Sequence, residues 1–148
     1  MPTQTTYGEN IAPGYPGHIA NMETANTISR IVEPAAGAGF GVAVFQGASD
    51  YGVTSTPGTL FRGVTVADKT LLAAAGQAVD AYPKGATAGL LVLGVIWVTA
   101  STAVAAGAPA FVTPTGAWTA TAAGNTAIPN ATFDTSAAPG GLAKLRVR

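Results

Sequence analysis

The stretch Leu90-Leu91-Val92-Leu93-Gly94-Val95-Ile96-Trp97-Val98-Thr99 decides the fold class. Both of its alternating rows are apolar and its second half is β-branched, which fits a strand covered on both faces. It lies within residues 88–110, which carry no charged side chain, so a membrane span has to be considered. The strongly apolar part is too short for one: Thr99, Ser101 and Thr102 end it, and Gly107 and Pro109 break any continuing helix. Val95, Ile96, Trp97 and Val98 are therefore expected at the centre of a core or of an oligomer seam, with Trp97 the largest anchor.

Outward from this strand the pattern stays β. Pro83-Lys84-Gly85 is a turn leading into it. After it, residues 110–113 and 118–121 read as a hairpin around Thr115-Gly116. Residues 142–148 alternate Leu145 and Val147 inward with Lys144, Arg146 and Arg148 outward, and this basic row suits an edge strand guarded against aggregation. Upstream, residues 28–32 and 42–45 are strands expected to be neighbours, separated by a glycine-rich break at 36–39. Residues 60–66 form another strand, with Gly63 marking a bulge. Residues 68–82 stay open between helix and loop: Leu72, Ala75 and Val79 share a helical face that Asp68 would cap, but Gly76 weakens it. About seven short strands between Gly/Pro turns make a mainly β fold, a small barrel- or sandwich-like domain over residues 27–148.

Residues 1–26 show neither a helical nor a strand period, and Gly8, Pro13, Gly14, Pro16 and Gly17 punctuate scattered Tyr7, Ile11, Tyr15 and Ile19. They read as an extended N-terminal arm. No apolar core of a secretory signal follows Met1, so synthesis and folding in a cytoplasm are expected.

Composition narrows the function. The 148 residues make one domain's worth of chain. Only 9% are charged, against about 25% in ordinary soluble domains. Seven acidic and seven basic side chains cancel, so there is no electrostatic footprint for nucleic acid or an anionic membrane. Residues 85–133 hold no charge at all, and part of that surface should pack against something. With no cysteine, disulfides and thiolate metal sites are excluded.

Catalytic signals are missing. The one histidine, His18, sits in the arm without a nucleophile or acid in a recognisable motif, and the seven carboxylates are scattered through different segments. No metal-ligand spacing occurs and no cofactor is expected. Gly37-Ala38-Gly39-Phe40-Gly41 lacks the GKS/T continuation and strand–turn–helix setting of a phosphate loop, and reads as a flexible hairpin loop.

The order of several short segments resembles the tailed-phage structural cement, or capsid decoration, proteins. It is carried by Gly14-Tyr15-Pro16-Gly17-His18-Ile19-Ala20, Ile28-Ser29-Arg30, Phe40-Gly41-Val42-Ala43-Val44 with Gly47, and Phe61-Arg62-Gly63-Val64-Thr65-Val66. It continues through Tyr82-Pro83-Lys84-Gly85, Leu93-Gly94-Val95-Ile96-Trp97-Val98 and Ala106-Gly107-Ala108-Pro109-Ala110-Phe111-Val112, and closes on Gly140-Gly141-Leu142-Ala143-Lys144-Leu145-Arg146-Val147. Relatives often carry an acid where this chain has Asn21 and Ala108, so salt bridges at those places are not carried over. The resemblance implies a β-barrel-like virion protein, assembled as a small homo-oligomer, dimer or trimer, and docked on the outer capsid face against the major capsid protein; with no catalytic motif, no enzyme is expected. Tyr7, Ile11, Tyr15, His18 and Ile19 are then the candidate capsid contacts, and Val95, Trp97, Phe111 and Leu145 the candidates for core or oligomer seam. The rival reading is a β-sandwich glycan-binding module, with Trp118 beside its turn as the stacking platform.

Overall fold

The computed structural model describes residues 13–73, 75–76 and 78–148, so the expectations for Tyr7 and Ile11 lie outside the described residues. The strands run β1 (Asn26–Val32), β2 (Ala38–Gly39), β3 (Ala43–Gln46), β4 (Gly52–Thr54), β5 (Phe61–Thr65), β6 (Ala81–Tyr82), β7 (Thr87–Thr99), β8 (Pro109–Val112), β9 (Trp118–Thr119), β10 (Thr126–Phe133) and β11 (Leu142–Val147). No helix occurs among the described residues, and the mainly β expectation holds.

β7 belongs to two rings of strands. Its first half pairs with β1 on one edge (Arg30 opposite Ala88, Ile28 opposite Leu90) and with β5 on the other (Val64 opposite Leu91). From β5 the ladder runs through β3 and β4 back to β1, where Ile31 lies opposite Gly52, and so closes a five-stranded barrel. The second half pairs with β11, from which β10, β8 and β9 follow in order. β9 returns to the end of β7 through a parallel bridge between Ala100 and Trp118, and the Ser101 amide and hydroxyl both donate to the Trp118 carbonyl. A strand shared by two rings is covered on both sides, which is why its sequence is apolar in both rows.

Gly94 stands where β7 passes from one ring to the other, between Leu93 opposite Asn26 and its own pairing with Val147. Its φ of 131° is open to glycine, and a Cβ there would lie 3.3 Å from the Cα of Ala25. Gly63, at φ 144°, carries the expected bulge: Val44 lies opposite Gly63 but Phe45 opposite Phe61, which leaves Arg62 as the extra residue.

Two cores result from the period of two. Val32, Val44, Val53, Ala88 and Leu90 form one, closed by Phe40 and Tyr82 packed edge to face with ring centres 5.3 Å apart. Ala43 and Phe45, on the other face of β3, join the larger core with Leu91, Ile96, Val98, Val112, Trp118, Phe133 and Leu145. The charge-free residues 85–133 supply β7 to β10, so much of their apolar surface is used inside the molecule.

Several expectations are corrected. β1 and β3 are not neighbours, because β4 lies between them, parallel to β1. The glycine-rich run 37–41 is not a flexible hairpin loop: Ala38 and Gly39 pair with Tyr82 and Ala81, and Phe40 is buried. Among their described residues, 68–80 form turns and loop, with Asp68 accepting from the Thr70 amide at 2.9 Å and hydroxyl at 2.6 Å, a local cap with no helix behind it. β11 is an interior strand between β7 and β10, so its basic row guards no edge. The count of about seven strands falls short of the eleven among the described residues, since strands as short as β2, β6 and β9 leave almost no periodic trace.

Candidate functional site

Residues 13–20 of the arm are strapped along β7. The Gly17 amide donates to the Trp97 carbonyl (2.8 Å), the Trp97 amide to His18 (2.9 Å) and the Ala20 amide to Val95 (2.8 Å), with Ile19 bridged to Ile96. On the other side the Ala67 amide donates to Gly17 at 2.8 Å. Glycine at 14 is required because a Cβ would fall 2.6 Å from the Trp97 ring. The strap and Lys144, whose Nζ stands 5.3 Å from the Trp97 ring centre, leave that side chain 7% exposed. Val95 and Leu145 are buried, and Phe111 is half-buried on β8.

The strap presents Tyr15 and His18 outward. Their rings stack at 4.8 Å and 12°, and Lys69 Nζ lies 4.7 Å from the Tyr15 centre. Lys69 is itself paired with Asp80 at 2.7 Å. The loop that carries both charges also exposes Leu72 and Val79. The sequence brought Tyr15, His18 and Ile19 together; Ile19 is half-buried against the larger core while the other two are exposed. Leu72 and Val79 were not singled out as surface because their helical spacing left 68–82 open between helix and loop, although Gly76 within the alanine-rich run was the available signal.

The polar groups are spoken for locally. Arg146 holds Glu23 with two bonds, at 2.6 and 2.9 Å, and Asp134 at 3.2 Å, which ties the segment after the strap to β11. The guanidinium holds the Glu23 carboxyl below its usual range, and the pair of acids raises Arg146 in turn. Glu33 accepts from the Ser49 hydroxyl and the Ala48 and Ser49 amides, which lowers its pKa and fixes the turn between β3 and β4. Asp68 is lowered by its Thr70 bonds. Burial pushes the Tyr82 phenol up, and its hydroxyl donates to the Val66 carbonyl at 2.6 Å. No group of three acids, histidines or cysteines among the described residues is placed to hold a metal ion.

Trp118 is corrected as a glycan platform. It is 2% exposed, and its Nε1–H donates to the Gly41 carbonyl at 2.7 Å, joining the second ring to the first.

A family model described as "Structural cement protein (E217 gp24/Pam3 gp6)" matches residues 3–148. No curated protein matches. Among solved structures, a chain from the capsid of Myoviridae phage XM1 superposes with TM-score 0.73 at 12% identity, covering 100% of this chain and 98% of that one. The N base of head fibre gp8.5 from bacteriophage phi29 gives TM-score 0.49 at 13% identity over 84% of this chain and 95% of that one. The first of these likenesses supports the fold, and the family match spans nearly every residue: the chain belongs to the phage structural cement proteins, structural components of the virion capsid.

Proposed function

We propose that this protein docks on the outer face of the capsid and cements adjacent capsid subunits against the pressure of packaged DNA. The observation that carries the reading is the exposed Tyr15–His18 stack with Lys69 beside it, next to a loop that exposes Leu72 and Val79. Its charges are internally paired and its aromatic and aliphatic side chains exposed, the composition of a contact surface. Tyr7 and Ile11 extend the same contact, and a body plus an arm touching more than one subunit gains by avidity. A homodimer or homotrimer would multiply it further, and the native mass of the free protein decides between them.

The test is binding to purified heads that lack the protein. Deleting residues 1–26 would also remove the β7 strap and Glu23, so the discriminating variant lacks 1–12 alone. It is expected to stay folded and to lose most head occupancy; unchanged occupancy removes the arm from the mechanism, and wild-type protein that ignores heads removes the docking itself.

A further inference from the structure

β1 has an open edge. β4 pairs with it only at Ile31 and Val32, while on the other side β7 is paired from Asn26 onward. The Ile31 amide donates to Tyr51 across the β4 side, and the Val32 amide points to Ala86 on the β7 side. By the alternation of a strand, the amides of Thr27 and Ser29 therefore point away from β7, and no described residue accepts from them. Thr27 and Ser29 are exposed. Such an edge offers main-chain pairing to any extended segment unless something guards it.

The guard is Arg30. Its side chain folds back so that Nη1 donates to the Ser29 carbonyl at 2.8 Å, the one edge acceptor that is occupied, and its guanidinium lies 5.8 Å from the centre of the Tyr51 ring. Nε is shielded from water with no acceptor among the described residues, and no carboxylate there pairs with the cation. A shielded donor without an acceptor is a costly arrangement that a carboxylate would relieve.

We infer that the free edge of β1 accepts an extended segment of a capsid subunit by strand addition, with a carboxylate of that segment drawing the Arg30 guanidinium off Ser29 and onto itself. This rests on the capsid-docking reading above. The partner has to bring the acid. Of this chain's described carboxylates, Glu23, Glu33, Asp68, Asp80 and Asp134 are each engaged, and Asp50 sits in a turn with no extended backbone to pair. Glu9 of the same chain is five residues from Gly14, a span of at most about 17 Å of extended chain. Gly14 packs on Trp97, and Arg30 lies opposite Ala88, nine residues and about 30 Å away along β7. Strand addition supplies the affinity through backbone bonds, and Arg30 with Tyr51 supplies the selection for an acid.

Ser29→Pro and Thr27→Pro each remove an outward amide and leave the β7 ladder intact; Arg30→Gln removes the charge, and Lys84→Gln is the charge-matched control. Each is tested for binding to heads lacking the protein, after thermal unfolding shows it folded. Both proline variants are expected to weaken binding about tenfold or more, Arg30→Gln by about tenfold, and Lys84→Gln not at all. If the wild type binds heads while the proline variants and Arg30→Gln bind equally well, the inference fails and the docking reading survives. If the wild type does not bind, both fail. If Ser29→Pro leaves head binding intact but lowers the native mass of the free protein, as deletion of 1–12 then also should, the edge takes a second copy's arm and the capsid assignment is overturned.

Discussion

Replacing Trp118 by Phe tests whether one buried hydrogen bond joins the two rings. The substitution keeps an aromatic ring in the larger core but removes the Nε1–H that donates to the Gly41 carbonyl at 2.7 Å. A buried carbonyl deprived of its donor costs about 1–3 kcal/mol. The smaller ring gives up apolar burial worth about 1 kcal/mol more. The sum, about 2–4 kcal/mol, corresponds to a fall in Tm of about 5–15 °C for a domain of this length. Urea unfolding is the assay, followed by far-UV circular dichroism and by the fluorescence of Trp97, which is then the sole tryptophan. Phe133→Leu, in the same core without a polar contact, serves as the control for lost volume. The two signals should fall together, since β7 is common to both rings. A loss below about 1 kcal/mol, or no larger than that of the control, refutes the claim that this bond holds the rings together.

Three other outcomes follow from the same geometry. Gly94→Val places a β-branched side chain at φ 131° with a Cβ 3.3 Å from Ala25 Cα, and should lower Tm by about 5 °C or more, the strain itself costing about 1–3 kcal/mol. Phe133→Ala empties a fully buried site and should cost about 3–5 kcal/mol in urea unfolding. Glu23, Glu33 and Asp68 all have folded pKa values below their ordinary ones, so their contribution is present above about pH 4.5 and lost as pH falls through the lowered values. Tm should therefore be level from pH 7 to about 5 and decline below it, and Glu23→Gln should flatten part of that decline; a Tm that rises on acidification contradicts the assignment.

Several elements were legible from local pattern alone. The doubly apolar run at 90–99, the alternation at 142–147, the hairpin from 109 to 119 and the bulge at Gly63 are each written in the period and turn chemistry of a few adjacent residues. The candidate face was legible in part: Tyr15 and His18 stood out in the arm, but Lys69, more than fifty residues on, gave no sign that it shares the face. Trp118 misled because a tryptophan beside a turn looks exposed until Gly41 is placed above it.

By itself the sequence determined a strand-built, weakly charged fold, because side-chain alternation and turn residues act within a few positions and sum along the chain. Only the tertiary structure decided which strand lies beside which. β1 meets β4 and β7 instead of β3, β11 is interior, and Glu23 reaches Arg146 across 123 positions. Period two tells a strand which face to bury but leaves its edges undetermined, since backbone amides and carbonyls are alike in every residue. Edges are chosen by ring closure and core packing over the whole chain, and the open edge along Thr27 and Ser29 exists because β4 is only three residues long.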